Sequence, residues 1–173
     1  MLAAAGAGTL LPFFYYNVFG DAKKQKKIFM GDTGALTTGM ILIFLAIAIL
    51  HAPGVPFVRD YNPVIIGISP LIIPCFDVVR VYIHRLRHHR NPFLPDQSHI
   101  HHKLLALGFN QRISLIIIML WSMFFIVINL LLCPYLNPTF IIMIDIVIWT
   151  MGNFALSILI SRKENEAGIK LYD

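Results

Sequence analysis

Residues 113–132 read ISLIIIMLWSMFFIVINLLL, twenty positions without one charged side chain. A helix that crosses a bilayer needs about 20 mainly apolar residues, because the hydrocarbon core is about 30 Å thick. The run is continuous rather than alternating, which excludes a strand of a membrane barrel. Backbone groups in lipid find no water, so such a run must close its hydrogen bonds on itself as a helix. Outward from it the same pattern recurs. Candidate spans are Leu2–Val18, Ala35–Leu50, Pro63–Ile83, Ile113–Leu132 and Thr139–Ile160. The expected fold is therefore all-α: a polytopic membrane protein of about five transmembrane helices, treated as a single domain over residues 1–173. Composition agrees, with 57% hydrophobic residues, 13% charged residues and a mean hydropathy of +0.72. Pro70 and Pro74 predict a kink or break inside the third span.

Lysine and arginine are distributed unevenly around these spans. Lys23, Lys24, Lys26 and Lys27 follow the first, Arg85, Arg87, Arg90, Lys103 and Arg112 follow the third, and Arg162, Lys163 and Lys170 follow the fifth. The alternate side carries only Arg59. The positive-inside bias then places the N-terminus outside and the C-terminus in the cytoplasm. Net charge of +5 is explained by this topology, and no aromatic-interleaved basic platform for nucleic acid is visible. Cys75 and Cys133 show no metal-like spacing and predict no disulfide.

Residues 77–112 form a polar island, with residues 84–112 read as a cytoplasmic histidine- and arginine-rich loop. The island holds six of the seven histidines. Within it, SHIHHK sets His99, His101 and His102 close together. Imidazoles at this density suit either a transition metal or, with neighbouring guanidinium groups, a diphosphate. No cysteine or carboxylate completes a structural zinc set, which leaves phosphate recognition as the better chemistry. In the loop KIFMGDTGAL, Asp32 is bracketed by Gly31 and Gly34. Such an aspartate reads as a helix N-cap, or as a hard oxygen ligand for Mg²⁺ beside glycines that admit a phosphate. Asp77 and Arg80 read as an i,i+3 ion pair. Asp145, alone in the fifth span, is either a functional group or an acid bonded within the bundle.

KIFMGDTGAL at the start of a span, followed by NPFLPDQSHIHHKLLALG, resembles the polyprenyl-phosphate N-acetylhexosamine-1-phosphate transferases, in particular the undecaprenyl-phosphate GlcNAc-1-phosphate transferase branch. The resemblance covers nearly the whole chain but only the C-terminal half of that family's fold. It implies transfer of GlcNAc-1-phosphate from a UDP-sugar to undecaprenyl phosphate, for cell-envelope polysaccharide synthesis in a bacterial inner membrane. By the same resemblance Asp32 is a catalytic aspartate and Mg²⁺ ligand. His99, His101 and His102 then face the nucleotide-sugar diphosphate, and Arg85, Arg87 and Arg90 lie where the family brings cations to it. The implied arrangement has Asp32 and the histidine motif converging on one diphosphate.

The chain departs from the family pattern in three ways. Ala35 stands where a serine is usual, and Gln97 where a basic residue is usual. The adjacent aspartate pair of the family's earlier loops has no counterpart here. Met1 is accordingly expected to be an internal methionine of a longer ancestor, and the implied partner is a missing N-terminal half or a second copy. The alternative is a non-catalytic relative that binds lipid phosphate. A histidine-lined metal transporter is poorer, because only Asp77, Arg80 and Asp145 are available to line a path.

Overall fold

The computed structural model describes residues 1–20, 28–50, 61–89, 91 and 99–168. Among them the regular structure is helical throughout. The helices are α1 (Leu2–Phe19), α2 (Gly31–Leu50), α3 (Pro63–Ile68), α4 (Ile72–Arg87), α5 (Ile100–Ala106), α6 (Gln111–Leu132) and α7 (Pro138–Ala167). Four stretches are long and apolar enough to cross a membrane: Gly31–Ala48, Pro63–Arg87, Gln111–Leu132 and Pro138–Asn165. Each of the five expected spans coincides with helix, but α1, which has Pro12 inside it, is not among these four.

Two compact units divide the chain, Met1–Pro53 and Gly54–Asp173. The first contains α1 and α2. There Asn17 Nδ2 donates to the Ile28 carbonyl at 2.8 Å, so the end of α1 holds the strand of chain that leads into α2. The second unit contains α3 to α7.

The break expected at the third span's prolines is real and local. Between α3 and α4 the chain tightens into a 3₁₀ turn, Ser69–Leu71, with Pro70 inside it. Pro74 falls in the first turn of α4, where a missing N–H breaks no helical bond. The Asn62 side chain accepts from Val64 N–H at 3.0 Å and opens α3.

The second unit is cored by Ile72, Ile73, Ile100, Phe125 and Trp149, with Phe76, Ile118, Trp121, Ile148 and Leu156 against them. A second cluster, Ile65, Cys133 and Ile141, sits around the α6–α7 turn. Outward-facing positions such as Val78, Ile116, Leu120, Phe124, Val147 and Phe154 are exposed and apolar. For a membrane bundle that is the required pattern, since lipid solvates those faces.

The stretch expected as a loop over residues 84–112 is more ordered than a loop at both ends. Helix α4 runs to Arg87, and α5 starts directly after His99. Ile100 and Leu104 of α5 are buried, 3% and 2% exposed, which turns a polar segment into an amphipathic helix docked on the bundle.

Candidate functional site

Helix α5 carries the histidine motif, and three polar contacts pin it. At its start, the Asp77 carboxylate on α4 accepts the Ile100 N–H at 3.2 Å with both oxygens. The same carboxylate lies 2.9 Å from His99 Nδ1 and accepts from Arg80 Nη2 at 2.8 Å and Nε at 3.2 Å. His99 is the N-cap residue of α5 but makes no side-chain cap of its own, so a carboxylate from another helix supplies the acceptor. Midway, Lys103 is buried and its Nζ donates to Ser157 Oγ of α7 at 2.9 Å. At the far end, Lys163 Nζ donates to the Leu107 carbonyl at 2.7 Å. Each contact satisfies a group that the short helix would otherwise leave open.

With α5 so held, His101 is exposed and His102 half-buried. The His99 and His101 rings stack with centroids 6.0 Å apart, and His101 and His102 lie 4.0 Å apart. Burial, then the neighbouring His102 and His99, hold His101 below the usual imidazole range, against a smaller opposing pull from Asp77. Lys103 is pushed down to about 8 by burial and by Arg80, with Asp77 opposing. A carboxylate can only accept, so a neutral His99 carries its proton on Nδ1 and leaves Nε2 as an acceptor. Donation to a phosphate oxygen from this turn therefore falls first to His101 and His102.

The remaining candidates divide. Arg85 is 6% exposed and donates through Nη1 to the Asn91 carbonyl at 2.9 Å, closing the end of α4 rather than standing open to a ligand. Arg87 is exposed. Arg90 lies outside the described residues, as do Arg59, Gln97 and the lysines at 23–27. Asp32 sits exposed in the first turn of α2, inside the helix rather than at the cap position, where it still faces the positive helix end. Gly31 has φ +65°, a left-handed conformation that favours glycine, and a Cβ there would meet nothing within 4 Å. At Gly34 a Cβ would lie 2.7 Å from the Met30 side chain. Asp32 and the histidine motif belong to different units, each described on its own.

Asp77 is the residue whose reach the sequence hid. The expected pair with Arg80 is present. Its bonds to His99 and Ile100 cross 22 and 23 residues. Proximity of an aspartate to the end of a span was the only signal available for them.

Comparison with known proteins finds relatives over part of the chain. Over 115 residues the chain is 36% identical to a probable undecaprenyl-phosphate N-acetylglucosaminyl 1-phosphate transferase of Bacillus subtilis. It is 30% identical over 109 residues to the undecaprenyl-phosphate α-N-acetylglucosaminyl 1-phosphate transferase of Pasteurella multocida. It is 31% identical over 124 residues to the decaprenyl-phosphate N-acetylglucosaminephosphotransferase of Mycobacterium leprae. Part of the chain is thus similar to part of proteins named as polyprenyl-phosphate GlcNAc-1-phosphate transferases. These matches cover 63–66% of this chain and 29% of each relative, so the chain spans about three-tenths of their length. No family model matches, and no solved structure matches.

A metal would need more than the described residues supply. Among the described residues no group of three or more His, Cys, Asp or Glu side chains is arranged to hold an ion. Asp32 offers one carboxylate, and Mg²⁺ takes one or two carboxylates plus substrate phosphates and water. The described residues do not form a Mg²⁺ site on their own.

Proposed function

We propose that this chain forms the histidine-bearing part of a glycosyl-1-phosphate transferase of the bacterial inner membrane. The donor is a UDP-sugar, most simply UDP-GlcNAc, and the acceptor is undecaprenyl phosphate. An oxygen of the lipid phosphate attacks the β-phosphorus of the donor. The bond from that phosphorus to the bridging oxygen breaks, UMP leaves with the electron pair, and lipid-diphosphate-sugar remains in the membrane. Two anions must meet, so donors aimed at the phosphate oxygens lower the barrier. His101 and His102 supply such donors from an exposed turn, and Arg87 adds a cation at the end of α4.

The observation that carries this reading is the build of α5: a seven-residue helix fixed at both ends and in the middle, presenting adjacent imidazoles outward. A surface loop without chemistry would not need three buried or charged anchors. The names borne by the relatives support transfer of GlcNAc-1-phosphate to a polyprenyl phosphate; the UDP donor is our own step. We place this turn, the α2 start and the C-terminus on the cytoplasmic face, from the lysine and arginine distribution. Asp32 is proposed as one ligand of Mg²⁺, with the other ligands drawn from outside this chain.

The test is UMP release. Membranes with this chain alone, UDP-GlcNAc, Mg²⁺ and undecaprenyl phosphate should release none above background. Co-expression with an N-terminal half bearing an aspartate pair should restore release, and Asp32→Asn or His101→Ala should abolish it. Release that survives both substitutions would refute the assignment. The second reading is a non-catalytic relative that binds lipid phosphate. That reading expects retained binding of undecaprenyl phosphate with no release under any pairing.

A further inference from the structure

The bond between Asp77 and His99 leaves one ring nitrogen unused. The Asp77 side chain is 8% exposed and that of His99 36%, so the pair runs from the bundle to its surface. With Nδ1 held 2.9 Å from Asp77 Oδ2, the neutral ring has a bare Nε2, and no described residue bonds to it. The other two imidazoles of the motif stand beside it, with centroids 6.0 Å apart from His99 to His101 and 4.0 Å from His101 to His102. Each of those rings, when neutral, gives one N–H. The turn thus offers donors and one acceptor together. A ligand that fills it must bring acceptors and a donor of its own.

Phosphate esters differ in that respect. A diphosphate diester such as a UDP-sugar is fully ionised near neutral pH, and its phosphates only accept. A phosphate monoester loses its second proton at about pH 6, so part of it still carries a P–O–H beside its charged oxygens. Position separates one monoester from another. Of the three histidines, His99 alone is described as bonded to a spanning stretch, Pro63–Arg87. About 15 Å of helix separates Asp77 from the Arg87 end, which puts the contact inside that stretch rather than at its tip. A phosphate carried on a polyprenyl chain approaches from the membrane, and a nucleotide approaches from water. We propose that Asp77 and His99 form a proton-accepting dyad for the polyprenyl phosphate, whose P–O–H binds Nε2 and gives up its proton as the oxygen attacks. The O–H bond breaks, an Nε2–H bond forms, and the electron pair stays on the phosphate oxygen. The imidazolium then lies between the Asp77 carboxylate and the phosphate, which both favour it. Arg80 on α4 and Lys103, His101 and His102 on α5 oppose it when charged. His99 touches the reacting atom, and Asp77 is a positioning residue. The inference rests on the transferase reading and gives His99 a role distinct from donation by His101 and His102.

The full chain in lipid nanodiscs, labelled with ¹⁵N-histidine and held at pH 7, provides the test. The His99 signals, assigned by their loss in His99→Gln, should show Nδ1 protonated and Nε2 bare. Undecaprenyl phosphate should bring Nε2 into the protonated range, while UDP-GlcNAc and UMP should leave it bare. His99→Gln should weaken undecaprenyl phosphate roughly tenfold and leave UMP affinity unchanged. Asp77→Asn keeps an acceptor for Nδ1–H but no charge, so Nε2 should stay bare with the lipid bound. The shift of the His99 signals in that variant also assigns them should His99→Gln not fold. A lipid phosphate that does not bind, or binds with Nε2 still bare, would overturn the dyad. A change with UMP as large as with the lipid would overturn its assignment to the lipid. The transferase reading fails separately, if the chain co-expressed with an N-terminal half releases no UMP.

Discussion

Nδ1 of His99 lies 2.9 Å from Oδ2 of Asp77, across 22 residues and between two helices. That contact fixes which nitrogen of His99 carries the proton while the ring is neutral. It also ties the start of the histidine helix to the end of a spanning helix. The carboxylate is shared by Arg80, His99 and the Ile100 N–H, so one buried acid organises four donors.

Removing that acid should therefore loosen α5 before anything else. Asp77→Ala leaves the Arg80 charge and the Ile100 N–H without their partner and should cost about 2–4 kcal/mol. Asp77→Asn keeps one accepting oxygen but turns an NH₂ group toward donors, so its cost should fall between wild type and alanine. Hydrogen exchange should show the amides of residues 100–104 losing protection in both variants, while residues 118–130 of α6 keep theirs.

Gly108 ends the same helix with φ +93°, and a Cβ there would lie 2.8 Å from Lys163 Nζ. The amine is the far end of a flexible side chain and can move, but moving it weakens the bond to the Leu107 carbonyl. Gly108→Ala should destabilise by about 1–3 kcal/mol, mostly from the backbone. In a Lys163→Met background the penalty should shrink, and a double-mutant cycle by denaturant unfolding measures the difference. Additive penalties would mean that the lysine contact and the glycine conformation are unrelated.

Much of the bundle was legible because lipid leaves so little choice. A run such as residues 113–132 can only be a helix, and Pro70 can only interrupt one. The histidine cluster was legible as chemistry but not as structure. SHIHHKLLALG reads as a polar loop until Ile100 and Leu104 are seen to face the bundle, and a seven-residue helix is too short for a firm periodic signal. Asp77 was legible only through its neighbour three residues on, since nothing local encodes a partner 22 residues away. Asp145 left two readings open, and its bond to Asn129 depends on the register between α6 and α7, which hydropathy does not specify.

Lys103 carries a pH dependence whose sign follows from its surroundings. Burial and Arg80 bring it down to about 8 in the folded chain, against an ordinary value of 10.5, with Asp77 opposing and Ser157 hydrogen-bonded to it. Between those two values the unfolded chain holds the proton and the folded chain has released it. The unfolded state binds more protons there, so stability rises with pH through that window. Lys103→Met should flatten the rise while leaving the chain folded at pH 7. Unfolding curves at pH 7, 8, 9 and 10 check it, and an equal slope in the variant would show that another group is responsible.

His101 sets the opposite edge of the working range. Its burial and its two imidazole neighbours hold it below 6.5, so at neutral pH the ring donates one N–H rather than carrying charge. On acidification the unfolded chain takes up this proton before the folded one, so folding loses stability from about pH 6.5 downward. A bound phosphate works against that loss, because an anion stabilises the imidazolium. Affinity for UMP should thus rise as pH falls from 7 to 6 even while the free chain weakens. In His101→Gln the gain in affinity on acidification should be smaller than in the wild type, and affinity at pH 6 should fall by roughly tenfold, about 1.4 kcal/mol for one charge-assisted hydrogen bond. His99→Gln should retain the pH dependence at reduced stability, since His99 spends its Nδ1 proton on Asp77. Calorimetric titration at the two pH values distinguishes the variants, and equal pH profiles in both would remove His101 from the anion contact.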